Sequence, residues 1–273
     1  MKLHHGDWHA LICPEQGAAF SILQWRGRDV LVPTPEGAHH PGSHGAFWML
    51  PWANRLDCGR IAGQAMPINR AAEGTAIHGL ARDWLWEVIS AAPDQARLKQ
   101  RVSVTPFCYT AQLVLSLDAD GLLMEMECRH EGAAPAPYGM GWHPWFTRSA
   151  ATSLHLNATQ RANHTARGLP ESFTPCTGIA ADEAGLIGLD NFFAGWDGVA
   201  RLITPAGTIT LTATGDFAAS VQVYAPPTQP VICVEPVSHM PDAPNRPALG
   251  AAAPMRLLAM GQTLRGTIRL TAA

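Results

Sequence analysis

The feature that most limits the fold of this chain is a succession of short strand-like segments separated by turns. Residues 122–130 alternate between two kinds of side chain, and a turn at 118–121 joins them to another strand-like run at 110–117. Period-two alternation of this kind is typical of a half-buried antiparallel strand. One face of the later run carries Leu122, Met124, Met126 and Cys128, and the other carries Leu123, Glu125, Glu127 and Arg129. The two runs together predict a β-hairpin.

Other runs extend this pattern along the chain. A second hairpin is predicted at 200–203 and 208–212, and its connection contains Pro205 and Gly207, which favour turns. No helical period is sustained over about 12 residues with caps at both ends, and 22 Pro and 25 Gly residues favour many turns and long loops. No linker or internal repeat divides the chain, so we predict one all-β domain, a large antiparallel β-sandwich over residues 1–273. Further strand candidates are 9–13, 20–25, 220–224, 231–234 and 263–270.

Composition narrows the class of protein. Hydrophobic residues make up 47% of the 273 residues and charged residues 15%, which is enough apolar material for a packed core and too little charge for a disordered chain. A formal net charge of −3 gives no electrostatic reason to expect nucleic acid or an anionic membrane as a partner. The first seven residues lack the apolar region of a signal peptide. Without that export signal, the six scattered cysteines are expected to be reduced core residues of a cytoplasmic protein.

Several common catalytic signatures are missing from the sequence. There is no GxxxxGK[ST], no GxSxG, no HExxH and no GxGxxG after a strand. Cofactor-driven chemistry and serine-based hydrolysis therefore lose most of their support. The remaining candidates are polar residues embedded in apolar or Gly/Pro-rich segments.

Two of these candidates lie in the first third of the chain. Arg55 follows an apolar run that ends in Pro51-Trp52-Ala53-Asn54, so its guanidinium is expected to be partly buried. It forms either a structural ion pair or a fork of donors for ligand oxygens. His78 stands before Gly79, and a lone histidine in this setting is most often structural.

Three further candidates lie in the second half. His143 is surrounded by two glycines, a proline and four aromatic residues in 138–146. Such a segment brings backbone close to a ligand and fixes an imidazole that can exchange protons near neutral pH. Glu235 ends the apolar run 231–234, and because an unpaired buried carboxylate is costly, it faces either a polar cavity or a fixed cation. Asp190 could belong to a turn before an aromatic core segment.

Taken together, these segments resemble the aldose 1-epimerase (galactose mutarotase) family, in the family's order. The resemblance runs from about residue 45 to the C-terminus, and the segments at 139–146 and 232–243 are its most specific parts. The matching segments are PWANRL at 51–56, IHGLAR at 77–82, GMGWHPWF at 139–146, LDNFF at 189–193 and ICVEPVSHMPDA at 232–243.

The resemblance implies a fold and a set of roles. The family fold is a large antiparallel β-sandwich, or supersandwich, with the sugar in an open cleft on one sheet. By resemblance His143 is the general acid and Glu235 the general base, while Arg55, His78 and Asp190 hold the sugar hydroxyls and ring oxygen, beside a binding position at Asn54. The expected substrate is a monosaccharide, with no metal or organic cofactor. We also expect Trp142 and Phe47 to stack on the sugar ring.

Mutarotation requires such a pair of groups. A base takes the proton of the C1 hydroxyl and an acid protonates the ring oxygen, so that the ring opens to the aldehyde and recloses on the other face. We expect Glu235 as carboxylate and His143 as imidazolium near pH 7.

The sequence is also compatible with other functions. The segment 78–83 also resembles the hexose-6-phosphate 1-epimerases, in which Arg82 would pair with a phosphate, although 51–61 looks more like the free-sugar branch. A non-catalytic sugar-binding or sensing protein would keep the hydroxyl-holding residues without the acid or base. A glycosidase would typically need two carboxylates. The sequence leaves open a monomer or a homodimer, and His39 and His40 are expected to be surface or core residues without a metal.

Overall fold

Two large antiparallel sheets carry most of the chain in the computed structural model, which describes residues 1–38, 44–249 and 252–273. His39 and His40 lie outside these ranges. Strands β1 to β13 are Lys2–His5, Trp8–Cys13, Ala19–Trp25, Arg28–Asp29, Ala46–Met49, Arg55–Asp57, Arg60–Ile61, Gln64–Ala65, Thr75–Ile77, Glu87–Ala91, Gln95–Val104, Phe107–Leu117 and Gly121–His130. Strands β14 to β27 are Ala136–Tyr138, Gly141–Pro144, Phe146–Thr147, Ser153–Leu156, Gln160–His164, Pro170–Pro175, Ile179–Asp182, Asp190–Ala194, Val199–Thr204, Gly207–Gly215, Ser220–Tyr224, Val231–Val237, Arg256–Leu258 and Thr263–Ala272.

Helical structure in the described ranges is short. The α-helix α1 spans Glu183–Leu186, and the 3-10 turns are Pro14–Gln16, Ala71–Glu73, Ala81–Asp83, Asp216–Ala218 and Ala243–Asn245. None of the helices in the described ranges is long and apolar enough to span a membrane.

The topology is that of the predicted sandwich. The first sheet has the order β1-β2-β3-β5-β15-β25-β24-β21-β18-β19, with β4 beside β3 and β16 beside β25. The second has the order β10-β11-β12-β13-β27-β23-β22-β17-β20. Both predicted hairpins are confirmed as β12–β13 and β22–β23. The prediction of an all-β antiparallel sandwich is therefore confirmed.

Alternation along the strands sorts the side chains between the two faces of each sheet. In β13 the apolar set Leu122, Met124, Met126 and Cys128 is buried, as the sequence predicts. It belongs to one continuous core that also includes Trp48 from the first sheet. Burying one such large apolar side chain stabilises the fold by about 1.5–3 kcal/mol.

The segment between residues 50 and 86 follows β5 of the first sheet. This segment forms two small hairpins, β6 with β9 and β7 with β8. The chain passes close to Leu50 again at Gly79, and this approach needs a glycine. A Cβ at position 79 would lie 2.0 Å from the Leu50 carbonyl oxygen, and the φ of Gly79 is +70°. The carbonyl of Leu50 then accepts hydrogen bonds from the N–H groups of Leu80 and Ala81. A cavity is left between this segment and the sheet.

Candidate active site

The cavity has a volume of about 500 Å³, within the usual range for small-molecule sites. Strands β5, β15, β21, β24 and β25 of the first sheet form one wall, and the segment between residues 50 and 86 forms the other. The lining residues are Phe47, Asn54, Arg55, Asn69, Arg70, Glu73, Ile77, His78, Arg82, His143, Trp145, Asp190, Gln222, Tyr224 and Glu235.

His143 and Glu235 face each other on adjacent strands. Gly141 of β15 pairs with Val237 of β25, and two residues further along the antiparallel pair the His143 Nε2 lies 3.4 Å from the Glu235 Oε1. The imidazole ring is stacked against Phe47 at 4.6 Å and against Trp145 at 5.1 Å between ring centroids. These two contacts fix the plane of the imidazole.

Burial determines the proton states of this pair in the ligand-free protein. Desolvation raises the pKa of Glu235 well above its usual range, and the negative charge of Asp190 adds to the rise. Burial, followed by the positive charge of Arg82, lowers the pKa of His143 to about 3. Burial therefore opposes the expected carboxylate and imidazolium in the ligand-free site and favours the neutral form of both groups. The pair nevertheless holds the same total number of protons, because the proton expected on His143 resides on Glu235.

Arg55 is held by carboxylates on two sides. Its Nε donates to Glu73 Oε2 at 2.9 Å and its Nη2 to Asp190 Oδ2 at 3.3 Å. Its Nη1 and its backbone N–H both donate to Asn54 Oδ1. Although burial opposes the change, the charges of Asp190 and Glu73 raise the pKa of Arg55. Arg55 therefore forms the ion pairs of the first sequence alternative. Because it also lines the cavity, the second alternative, binding of ligand oxygens, stays a prediction.

Gln222 is a cavity residue that sequence reasoning missed. It is 3% exposed and pairs in register with Glu235 across β24 and β25. Its Nε2 donates to Asp190 Oδ1 at 2.6 Å, while its Oε1 has no hydrogen-bond partner. The available signal was a polar side chain between Val221 and Val223 in a predicted strand.

His78 occupies the cavity wall in an unusual backbone conformation, with φ of +66°. Its ring lies edge-on to Phe47 at 5.4 Å and to His143 at 5.0 Å between centroids. Burial, with the positive charge of Arg82 adding to it, lowers the pKa of His78 well below its usual value. A neutral His78 offers one donor and one acceptor to a ligand.

Two arginines of the segment between residues 50 and 86 line the cavity. Arg82 is 5% exposed, and its guanidinium carbon is 5.5 Å from the centroid of the Phe47 ring. Its nearest acidic partner is Asp83, at 3.5 Å from Nε. Burial lowers the pKa of Arg82, and the charge of Asp83 partly offsets this. Arg70, which the sequence did not single out, also lines the cavity.

The expected stacking role of Trp142 does not fit its position. Trp142 follows Gly141 and precedes His143 in β15, so alternation turns it to the opposite face of the sheet. There it is fully buried in the core, with ring centroids 6.1 Å from both Phe20 and Trp48. Trp145 and Phe47 line the cavity and provide its aromatic surface.

The segment after Glu235 holds the Asn54–Arg55 loop in place. His239 Nε2 accepts a hydrogen bond from the Ala53 N–H at 3.0 Å, and the Asp242 N–H donates to the Arg55 carbonyl at 2.8 Å. The Asp242 Oδ1 also accepts from the Asp57 N–H at 2.9 Å. One chain segment therefore sets the distance between the acid–base pair and the loop that carries Arg55.

The cavity concentrates polar atoms that lack partners. In the described ranges nine buried side-chain nitrogen or oxygen atoms have no hydrogen-bond partner. Six of them belong to cavity-lining residues: His78, Arg82, His143, Trp145, Gln222 and Glu235. Since buried polar groups are normally hydrogen-bonded, this wall is suited to a ligand rich in hydroxyl groups.

Two proteins of Escherichia coli K12 are similar to this chain in sequence. The chain is 35% identical over 156 residues to the uncharacterized protein YihR of Escherichia coli K12, a match that covers 54% of this chain and 50% of that relative. It is 26% identical over 267 residues to the uncharacterized protein YphB of the same organism, with 91% of each chain covered. This chain thus spans about half the length of YihR and nearly all of YphB.

Solved structures show the same architecture. A crystal structure of a "putative aldose 1-epimerase" from Escherichia coli K12 superposes with a TM-score of 0.89 at 23% identity, covering 100% of this chain and 98% of the other. A galactose mutarotase-like protein from Clostridium acetobutylicum gives 0.82 at 16% identity, covering 100% and 94%.

The sequence model of one family spans nearly the whole chain. That family is described as Aldose 1-epimerase, and its model matches residues 1–271. This chain therefore belongs to the aldose 1-epimerase family.

Proposed function

We propose that this protein is a cofactor-independent aldose 1-epimerase that interconverts the α and β anomers of a free aldose. The observation that carries the proposal is the 3.4 Å contact between His143 Nε2 and Glu235 Oε1 on the wall of a cavity of about 500 Å³. Mutarotation needs two proton-transfer groups within reach of C1 and the ring oxygen, and this contact brings two such groups together.

The chemistry follows from that pair. Glu235 removes the proton of the C1 hydroxyl, and the oxygen electrons form the aldehyde carbonyl as the bond from C1 to the ring oxygen breaks. His143 donates a proton to the departing ring oxygen. Rotation about the C1–C2 bond turns the other carbonyl face toward the hydroxyl, and reclosure returns both protons. General acid–base catalysis of this kind contributes roughly 10²–10⁴-fold.

The reaction starts from ionised Glu235 and protonated His143, so one proton must first move from Glu235 to His143. In the ligand-free site Glu235 is held neutral by burial, so a proton shift to His143 produces the carboxylate and imidazolium. The positive charge of Arg55 favours ionised Glu235, and sugar hydroxyls would supply partners for Glu235 Oε2 and His143 Nδ1, which have none. Substrate binding thus stabilises the charged form of the pair.

The remaining polar wall orients the sugar. Arg55, His78 and Asp190 project donors and acceptors into the cavity, and Gln222 adds an unpartnered carbonyl oxygen. Asn54 acts through Arg55, whose guanidinium and backbone it holds. Orienting the sugar in this way lowers the entropic part of the barrier.

Proton NMR of freshly dissolved α-D-glucose and α-D-galactose tests the proposal. Wild-type protein is expected to accelerate anomeric equilibration, and the Glu235→Gln and His143→Asn variants are expected to lose this effect. Binding of sugar without acceleration would support a non-catalytic sugar binder, and a cleaved product from a glycoside would support a hydrolase.

A second candidate is a hexose-6-phosphate 1-epimerase. Arg82 is buried, its Nε has no hydrogen-bond partner, and Arg70 lies on the same cavity wall. From the sequence, only Arg55 and Arg82 were candidate cations for a phosphate. Arg70 adds a third arginine to the cavity lining, which strengthens this alternative. Charge-assisted hydrogen bonds from arginine are well suited to a phosphate.

The two candidates are separated by running glucose 6-phosphate in parallel with the free sugars. Activity confined to the phosphorylated sugar, with a large loss in Arg82→Gln, would replace the free aldose by a sugar phosphate. Arg26→Gln, which changes a surface arginine, is the matched control.

A further inference from the structure

Cys233 lies beside the acid–base pair and has no part in the reaction proposed above. It is two residues before Glu235 in β25, so both side chains are on the cavity face of the sheet. The potential ligand atoms of His143, Cys233 and Glu235 all lie within 4.8 Å of one another, and all three residues are buried.

This set of atoms matches the preferences of zinc. One imidazole nitrogen, one sulfur and one carboxylate oxygen are the ligand types that Zn²⁺ takes from proteins. With zinc bonds of about 2.0–2.3 Å in a tetrahedral arrangement, two ligand atoms lie roughly 3.3–3.8 Å apart. The His143 Nε2 and Glu235 Oε1 are already 3.4 Å apart, so Cys233 needs the larger adjustment.

Glu235 also has a free carboxylate oxygen, and one side of the three-residue cluster faces the cavity. Glu235 Oε2 has no hydrogen-bond partner, and Glu235 is only 2% exposed. His143 and Glu235 line the cavity, which leaves a fourth coordination position that faces a ligand or water. Three protein ligands with one open position is a common zinc arrangement.

We propose that His143, Cys233 and Glu235 bind Zn²⁺ on the cavity wall and that the bound ion inhibits epimerisation. Inhibition follows because the ion occupies the lone pairs through which His143 and Glu235 move protons, and this part rests on the proposed function. Cys233 binds as thiolate and Glu235 as carboxylate, so the protons of both groups leave to solvent as the ion enters.

Metal binding is tested by titrating the EDTA-treated protein with Co²⁺, which reports a bound thiolate through a near-ultraviolet charge-transfer band. The band is expected in wild type and should disappear when Zn²⁺ displaces the bound Co²⁺. It is expected to be absent in Cys233→Ser. Cys58→Ser removes an exposed thiol and is expected to keep the band. Absence of the band in wild type, or its loss in Cys58→Ser with retention in Cys233→Ser, overturns the proposal.

Inhibition is tested on the same variants with buffered free Zn²⁺. Loss of one ligand is expected to raise the inhibitory Zn²⁺ concentration by at least about tenfold in Cys233→Ser, with activity in EDTA retained. Equal inhibition of wild type and Cys233→Ser by Zn²⁺ overturns the inhibitory role. Because the Co²⁺ titration needs no turnover, it tests the metal site even where no sugar proves to be a substrate, and thermal unfolding of each variant checks that it is folded.

Discussion

The Nε2 of Gln222 donates a hydrogen bond to the Oδ1 of Asp190 at 2.6 Å. The other carboxylate oxygen of Asp190 accepts from Arg55 at 3.3 Å, so Gln222 and Arg55 hold Asp190 between them. Gln222 is at the same time the in-register neighbour of Glu235. The position of the Asp190 carboxylate is therefore tied to the strand that carries the proposed base.

Replacing Gln222 by Leu removes this donor and the free carbonyl oxygen while keeping a similar volume. Hydrogen bonds to charged groups contribute about 1.5–3 kcal/mol, so kcat/KM is expected to fall by roughly tenfold to a hundredfold. The exposed Gln112 on the second sheet provides the control, and Gln112→Leu should leave kcat/KM unchanged. Equal kcat/KM for wild type and Gln222→Leu in a mutarotation assay would remove Gln222 from the binding wall.

Replacing Glu235 by Gln tests the base directly. The amide keeps the shape of the side chain but cannot accept the C1 hydroxyl proton, so kcat is expected to fall by about 10²-fold or more. Stability should not fall greatly, because the resting carboxyl group is already held neutral by burial. Glu87→Gln changes an exposed carboxylate on β10 and should retain full activity. A Glu235→Gln variant as active as Glu87→Gln would exclude Glu235 as the base.

The sequence predicted much of this architecture because strand alternation and turn residues are visible in it. Alternation in 122–130 and the turn at 118–121 reported local sheet geometry, and both appear in the structure. Glu235 and His143 were noticed because each interrupts an apolar or Gly/Pro-rich context. The two residues meet because β15 and β25 are neighbours in the sheet. About 90 residues separate these strands in the chain, so no local sequence pattern predicts that they pair.

The parts that the sequence did not predict depend on direction and environment. Trp142 and His143 are adjacent in the chain, and only the phase of alternation decides which of them faces the cavity. Arg70 has no local signature, since it reaches the cavity through the course of a loop. The proton states of Glu235 and His143 were mispredicted because desolvation depends on the packing of residues from several strands.

The correction at Trp142 can be tested by comparing two tryptophans in neighbouring positions. Trp142→Ala removes a fully buried ring from the core and is expected to lower the free energy of unfolding by about 3–5 kcal/mol. Trp145→Ala removes a partly buried ring that lines the cavity and stacks on His143, so its main effect should be a lower kcat/KM with a smaller loss of stability. Urea denaturation and mutarotation kinetics measure the two effects, and the reverse result would restore the stacking role of Trp142.

His239 predicts a pH dependence of stability. Its Nε2 must be unprotonated to accept from the Ala53 N–H, while its Nδ1–H donates to the Met240 carbonyl at 2.7 Å. Burial lowers the pKa of His239 to about 4, against the opposing effect of the Met240 carbonyl. Because the folded pKa lies below the unfolded value of about 6.5, the contribution of His239 is complete above about pH 6.5 and is lost as the pH falls toward 4.

This contribution is measured as a difference between two proteins. From pH 7 to pH 5 the free energy of unfolding should fall by about 2 kcal/mol more in wild type than in His239→Gln, because the shift of His239 acts only in wild type. Gln can still accept from Ala53 through Oε1, so the variant is expected to fold and to retain a KM near that of wild type. His239→Phe has a ring of similar shape without an acceptor, which leaves the Ala53 N–H unpaired and loosens the loop that carries Arg55. A raised KM in His239→Phe, recovered in His239→Gln, would show that the hydrogen bond positions the sugar-binding loop; equal KM values in both variants would limit His239 to packing.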